Sequence, residues 1–562
     1  MRCSSRYIVI LVTTITSLWT ISSRGGGGFV EAYVTSGLPG HKHRAWLKQL
    51  TQEFTQHPGQ LTQEMCTQAP HLLSAWAQNP YVPHTYKGGG PSDAVFPHHG
   101  RECAETCERI LKRLVDERRA GNTNAIANTH TYNLIIDIWS KSGEKGAAAQ
   151  RAEEILVSMQ LAYHQGALEV QPDLNSFKLV LTAWARAQGE EYAPHRSQRL
   201  LEWMMTLYDS GANDAIQPDA ECYEMVLSTW ANSGHKDAPR KTEQLIMLMD
   251  RRYQANHSCA KPTRVHFHQV VATWSKSIEH NSSSSSSKTQ LNTYAALRAQ
   301  DILHHMTVFA RRDKDLEPSI STYGSVISAW AKSKTEDCGQ RADAILKMVE
   351  RRALMGHDND ENGDRRHHHH AHDFFPDTIM FNQVIDAHAK ESSSPKSYRR
   401  ARAVLDRQIS LYLKGHGNSH NKCKPDVYSY TGVLSACASV NGTRRDRLLA
   451  FQVARDTYLD MLRANVSPNH VTYGILLKAC ARLLPEGKEK RKYTREYFRK
   501  ACADGCVGEM VMNRLEEAAS YAQYKGLLKG ITKSTLPEEW IVHVPENEKK
   551  NMKNSADAIM SK

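Results

Sequence analysis

At 562 residues the chain exceeds what a single compact core holds, so several domains or a repetitive architecture is expected. Its 72 Lys and Arg against 60 Asp and Glu leave +12 at neutral pH, a balance that suits a polyanionic partner. The 12 cysteines are scattered through helix-like sequence, which argues against a disulfide framework. Cys103/Cys107 and Cys502/Cys506 are pairs one helical turn apart that lack the second His/Cys pair of a zinc site, so neither a metal nor a cofactor is expected.

In chain order, residues 1–44 read as a targeting leader. Arg2 and Arg6 precede an apolar run, Tyr7–Ile21, of signal-peptide size and too short for a firm transmembrane span. Val30 and Ala32 form a small-residue cleavage site, and from Ala32 to Gln52 no acidic residue occurs while Lys42, Arg44 and Lys48 accumulate. This order resembles the bipartite leader of algae with secondary plastids. A plastid address is expected, with a mitochondrial presequence or plain secretion as alternatives. Residues 45–127 read as a degenerate N-terminal repeat acting as a cap: Leu72–Pro80 has a worn helix pattern around Trp76, Lys87–Gly100 is a linker, and Cys103–Gly121 is a second helix.

From residue 128 to 500 one pattern recurs. PDLNSFKLVLTAW (Pro172–Trp184) is followed by six more copies, starting at Pro218, Pro262, Pro318, Pro376, Pro425 and Pro468, and preceded by one that lacks only the Pro (Asn128–Trp139). In each full copy an aromatic lies five residues after the Pro, and a Trp, His or Cys seven beyond that. Pro and a small polar residue suit a helix start, and the aromatic, the aliphatics and the Trp share one helical face. A second helical string follows each time, as in Arg151–Met159, Arg196–Met204 and Lys241–Met249. Neither helix can bury its apolar face alone, so eight such units must stack. The Trp series (Trp139, Trp184, Trp230, Trp274, Trp330) reads as core rather than as base-stacking platforms, and Cys437 and Cys480 as small buried hydrophobes in the same slot.

The strings P-D-x-x-[ST]-[YF]-x-x-[VLI]-[IL] and A/R-x-x-[IL]-L-x-x-M resemble the pentatricopeptide repeat family over about Ala104 to Lys500. Tetratricopeptide repeats put their Pro at the end of the second helix. The resemblance implies an all-α fold, a right-handed superhelical α-solenoid of stacked helix-turn-helix repeats that binds single-stranded RNA along its first helices. One departure concerns length: the aromatics Tyr132, Phe177, Tyr223, Phe267, Tyr323, Phe381, Tyr430 and Tyr473 are 45, 46, 44, 56, 58, 49 and 43 residues apart, against roughly 34 for the related repeat. The surplus reads as loops, Ser142–Gln150 between the helices and Tyr163–Gln171 before the next Pro, loosening the stack. Insertions at 280–290 (the polyserine Ser282–Ser287) and 356–374 (the histidine-rich His357–Asp373) are expected to be solvated loops without a ligand.

In the resembling family a base is read by the residue after the aromatic and by the one after the next Pro. Here these are Asn133/Asp173, Lys178/Asp219, Glu224/Thr263, His268/Ser319, Gly324/Asp377, Asn382/Asp426 and Thr431/Asn469, with Gly474 opening the last repeat. The resemblance implies uracil for Asn133/Asp173 and Asn382/Asp426 and adenine for Thr431/Asn469, with little selectivity through the middle; Lys178 would meet a phosphate. Residues 501–562 read as a capping helix (Arg514–Gly530) and a tail. No C-x-x-C, Walker A, G-x-G-x-x-G or G-x-S-x-G string occurs, so an enzyme is not expected. The expected role is non-catalytic RNA binding in organellar RNA processing, stabilisation or translation. Its partners would be single-stranded organellar RNA together with ribosomal or RNA-processing proteins, the chain being monomeric and free of membrane once the leader is removed. The alternative is a protein–protein scaffold in an organelle, associated for example with ribosomes.

Overall fold

The computed structural model describes residues 40–78, 98–278, 286–358, 374–391, 396–414, 420–532, 535–547 and 549. Most of the leader, most of the linker after Tyr86, the core of the polyserine run and residues 359–373 of the histidine-rich segment lie outside the described residues. Gly40–Arg44, assigned to the leader, open the first helix, and Ser286 and Ser287 open another. Among the described residues every regular element is helical.

The chain divides into two compact units, residues 1–262 and 263–562. The first contains α1 (Gly40–Gln56), α2 (Gln63–Gln78), α3 (His98–Arg119), α4 (Thr129–Lys141), α5 (Lys145–His164), α6 (Leu174–Arg186), α7 (Ala193–Asp209), α8 (Ala220–Asn232) and α9 (Ala238–Gln254). The second contains α10 (Arg264–Lys276), α11 (Ser286–Phe309), α12 (Ile320–Ser333), α13 (Cys338–Asp358), α14 (Thr378–Lys390), α15 (Ser397–Lys414), α16 (Val427–Ala438), α17 (Arg444–Arg463), α18 (His470–Leu483), α19 (Lys488–Ala503), α20 (Glu509–Ala518) and α21 (Tyr521–Leu528).

One packing rule holds in each unit. The first helix of a hairpin (helix A) packs on its own second helix (helix B) and on the next helix A, and helix B packs on that next helix A as well. In the first unit the A row is α2, α4, α6 and α8; in the second it is α10, α12, α14, α16 and α18, with α20 taking a further A position on α18 and α19. Each unit is thus an α-solenoid; near the N-terminus α2 packs on α1, α3 and α4, and Trp76, 3% exposed, donates from Nε1 to Thr51 Oγ1 of α1 at 3.0 Å.

The A helices are sandwiched, which is why their apolar pattern is so regular. Phe177, Tyr223, Phe381, Tyr430 and Tyr473 are buried, as are all five tryptophans of the series, and only Phe267 among the aromatic anchors is half-buried. Trp184 Nε1 donates to Glu153 Oε2 at 2.9 Å and Trp330 Nε1 to Gln300 Oε1 at 2.8 Å, each reaching the preceding B helix. Cys437 and Cys480 are fully buried, and burial pushes both thiols up to about 12. In the same slot His388 is buried, and its Nδ1 lies 3.2 Å from Glu391 Oε2; Glu391 in turn accepts from Gly339 N and Gln340 N at the start of α13.

The repeat length has a different origin from the loops expected. The turn between α4 and α5 is only Ser142–Glu144, and α5 runs 20 residues from Lys145 to His164, so most of the supposed inter-helix loop is helix. Before the next A helix the chain makes a short 3₁₀ turn, at Leu168–Val170, Asp214–Ile216, Ser258–Ala260, Lys314–Leu316 and His420–Cys423. Its last residue is buried at Val170, Ile216, Ala260 and Cys423. The extra residues therefore lengthen the B helices and leave the A-to-A packing direct. The C-terminal segment forms two helices rather than one. The tail returns to the last hairpin, where Val507 N donates to Trp540 O (2.7 Å), His543 N donates to Gly505 O (2.9 Å), and Trp540 packs edge-on against Phe498.

Candidate nucleic-acid interface

Every A helix from α4 to α18 starts on a small polar N-cap, because the first turn has N–H groups with no partner inside the helix. Asn128, Asp173, Asp219, Asp377, Asp426 and Asn469 each accept a hydrogen bond from the backbone N–H three residues on. Ser319 does so from Thr322 N, and Thr263 faces the His266 ring, Oγ1 to Nδ1 2.9 Å. At Asp173, Asp426 and Asn469 the bond is reciprocal, with Ser176, Ser429 and Thr472 completing a capping box. All seven N-caps from Asp173 onward are the second members of the sequence-assigned reading pairs.

The first members sit one turn further on, and direct A-to-A packing brings them against the next N-cap. Asn133 Nδ2 donates to Asp173 Oδ1 at 3.1 Å, and Asn382 Nδ2 donates to Asp426 Oδ1 at 3.0 Å. The two pairs differ at the other amide atom. Asn382 Oδ1 accepts from Ser429 Oγ at 2.7 Å, whereas Asn133 Oδ1 is buried without a partner. Lys178 Nζ pairs with Asp219 at 2.7 Å and also contacts Glu221, so this lysine closes its own slot instead of standing free for a phosphate. Burial opposes the charge on Asp219, yet Lys178 and the Cys222 N–H outweigh it and hold the carboxyl below the usual range.

The remaining assignments are placed unevenly. His268 Nδ1 lies 3.2 Å from Thr322 Oγ1, which bonds Ser319, and burial lowers the basicity of the ring with Lys276 adding to it. At Gly324 an added Cβ would stand 3.9 Å from Met380 Cγ, an ordinary contact distance. Thr431 is buried and its hydroxyl donates back to Val427 O at 2.7 Å, away from Asn469. Gly474 lies beneath Met510 of α20, whose side chain would be 2.9 Å from an added Cβ. Glu224 and Thr263 belong to different units.

Two further sets of residues share the register of these pairs. Three positions before a first reader, on the same helical face, stand Val265, Ile379 and Tyr428, exposed at 41%, 65% and 73% although large and apolar. Two positions after the Trp slot stand Lys141 and Arg186 in the first unit and Lys276, Lys332, Lys390 and Arg482 in the second. Lys332 is held below the usual lysine range by burial and by Lys390, and Lys478 by burial with Arg514 and Arg482 nearby, so cations crowd one another on this edge. Asp137 and Asp386 pair with Lys141 and Lys390 from one turn earlier. The cations were legible as a column in the sequence but carried no signal until the A-helix face was defined, and the apolar set became visible only through its exposure.

Among the described residues no group of three or more His, Cys, Asp or Glu is placed to hold a metal ion, and no helix is long and apolar enough to cross a membrane.

A comparison with curated proteins finds no match. Among solved structures the chain is similar to the pentatricopeptide repeat protein PPR10 from maize, at 15% identity over 92% of this chain and 67% of that chain, with a TM-score of 0.37. It is similar also to PPR10 in complex with an 18-nt psaJ RNA element, at 15% identity over 92% and 71%, with a TM-score of 0.27. Residues 419–482 match the model of the pentatricopeptide repeat domain. That segment holds α16, α17 and most of α18 and is a pentatricopeptide repeat segment, and helical hairpins follow one another through both units.

Proposed function

We propose that this protein binds single-stranded RNA along its A-helix faces and acts by occupancy, without catalysis, in the processing, stabilisation or translation of organellar transcripts. The observation that carries the reading is a shared register. On α14 an exposed apolar side chain, a polar pair and a cation stand together in Ile379, Asn382/Asp426 and Lys390, and parts of the same set hold the same offsets on other A helices, as in Asn133/Asp173 with Lys141. Each element suits one part of a nucleotide. Bases stack on exposed apolar or aromatic side chains, amide and carboxylate groups meet base edges, and Lys or Arg meets phosphate. Asn382 and Asp426 bond each other, so a base would exchange their mutual bond for bonds to its own pairing edge.

The leader supports a plastid site of action, with the mitochondrion as the alternative. Crosslinking of the tagged protein in its own cells, followed by sequencing of bound RNA, tests the whole reading. One or a few organellar sites, weakened by Asn382→Ala, would support it and name the organelle. Crosslinks at background level with a stable protein partner co-purifying would replace it with a scaffold.

A further inference from the structure

The hairpin turn between α4 and α5 carries a cavity of about 350 Å³, lined by Ser140, Lys141, Gly143, Lys145, Ala148, Ala183 and Arg186. Three of these are cations and none is an acid. Gly143, Ala148 and Ala183 are small, so no bulky side chain fills the space. The equivalent place one hairpin on, between α6 and α7, differs in the features that matter. There Asn232 takes the position of Arg186 and the cavity shrinks to about 10 Å³; Glu190 lines it and also packs beside Gly146 at the start of α5. The cavity at this turn is thus larger and more basic than the one at the next.

We propose that this cavity binds a phosphomonoester at the end of the RNA strand that the A-helix face holds, an inference that rests on the single-strand reading above. The volume is at the small end of ligand sites, enough for one terminal group. A phosphomonoester carries close to two charges and three strong acceptor oxygens, against one charge for a diester inside the chain. Lys141 is shared with Asp137 at 2.6 Å, and Arg186 Nη1 donates to Ser140 O and Oγ at 3.3 and 3.2 Å. Lys145 makes no ion pair among the described residues and is the cation with most to gain. It also stands at φ +39°, in the left-handed region two residues after Gly143 at φ +84°. A lysine is held there where Gly or Asn would sit with less strain. Lys141 and Arg186 lie on the cationic edge of the A-helix row, so the cavity joins the path proposed for the strand.

The test uses the full chain and three oligouridines that differ only in their ends: 5′-phosphate, 3′-phosphate, or hydroxyl at both. Binding is read by fluorescence anisotropy, with uridine monophosphate as competitor. A phosphate at one end is expected to tighten binding about tenfold. Lys145→Gln should abolish that preference and Lys145→Arg should keep it. Equal affinity for all three strands, or an equal gain at either end, overturns the proposal while leaving RNA binding in place. Loss of the preference at low uridine monophosphate concentration assigns the cavity to a free nucleotide and overturns the strand-end assignment. If no strand binds, this proposal and the single-strand reading fall together.

Discussion

At the scale of single residues, burial separates side chains that hold the fold from those that face a ligand. Trp184 is 1% exposed, wedged between hairpins with its indole N–H on Glu153. Trp184→Ala should destabilise the protein by about 3–5 kcal/mol, the range for large core truncations, in a denaturant melt. An unchanged melt with lost RNA binding would mean that the tryptophan contacts a base. Tyr428 is its opposite, 73% exposed two residues after the N-cap Asp426. Tyr428→Ala should leave the melting temperature in place and weaken single-stranded RNA binding by about 1–3 kcal/mol, the value of one stacked base. An unaltered Kd would remove Tyr428 from the interface. The tryptophan's role was legible from spacing alone, since the Trp falls on the same helical face as the buried aromatic. Tyr428's was not: its exposure depends on which face of α16 the neighbouring A helices leave uncovered.

At the scale of the element, one residue serves both the start of a helix and the contact to the helix before it. Asp219 caps α8 through Cys222 N and pairs with Lys178 of α6. Its carboxyl is depressed in the folded protein, so the stability it contributes is full above the unfolded value of about 3.9 and is lost as pH falls through the folded one. Asp219→Asn keeps a good N-cap and removes the titrating group. The variant should lose less stability than the parent between about pH 4 and pH 2, measured by denaturant melts across that range. Parallel curves would mean that the pair with Lys178 has no effect on folding.

The A helices were legible nearly to the residue, because the Pro, the N-cap and the apolar period all mark the same boundaries. The B helices were not. Gly146–Gln150 carries no apolar period, so it read as loop. Its Ala147–Ala149 run has high helix propensity and continues α5 once the turn closes at Gly143. The contact of Asn133 with Asp173, and the covering of Gly474 by Met510, are products of helix-to-helix distance and left no trace in local pattern.

At the scale of the whole molecule, each unit has two kinds of cohesion. The A rows are held by apolar packing of aromatic and Trp side chains. Successive B helices are joined by ion pairs: Arg252 with Asp209 at 2.7 Å, Arg196 with Glu153 at 3.4 Å, Arg402 with Asp460 at 2.6 Å and Arg407 with Glu350 at 3.2 Å. Salt screens exposed pairs and leaves apolar burial intact, so raised ionic strength should shift the melting temperature little. RNA affinity should respond steeply. Unit 2 alone carries Lys276, Lys332, Lys390 and Arg482 in register, and four phosphate contacts correspond to a slope of about −3 in log K against log salt. A slope near zero would mean that phosphates are not what these cations meet.

The RNA is proposed to lie on the A-helix faces. The most direct measurement is ultraviolet crosslinking of the full chain to a uridine-rich single strand, with the crosslinked residues identified by mass spectrometry. Crosslinks are expected at Tyr428 and on other exposed A-helix positions such as Ile379, and are lost when Asn382 and Lys390 are both replaced by Ala. Crosslinks concentrated on the B helices, or none above background, would contradict it.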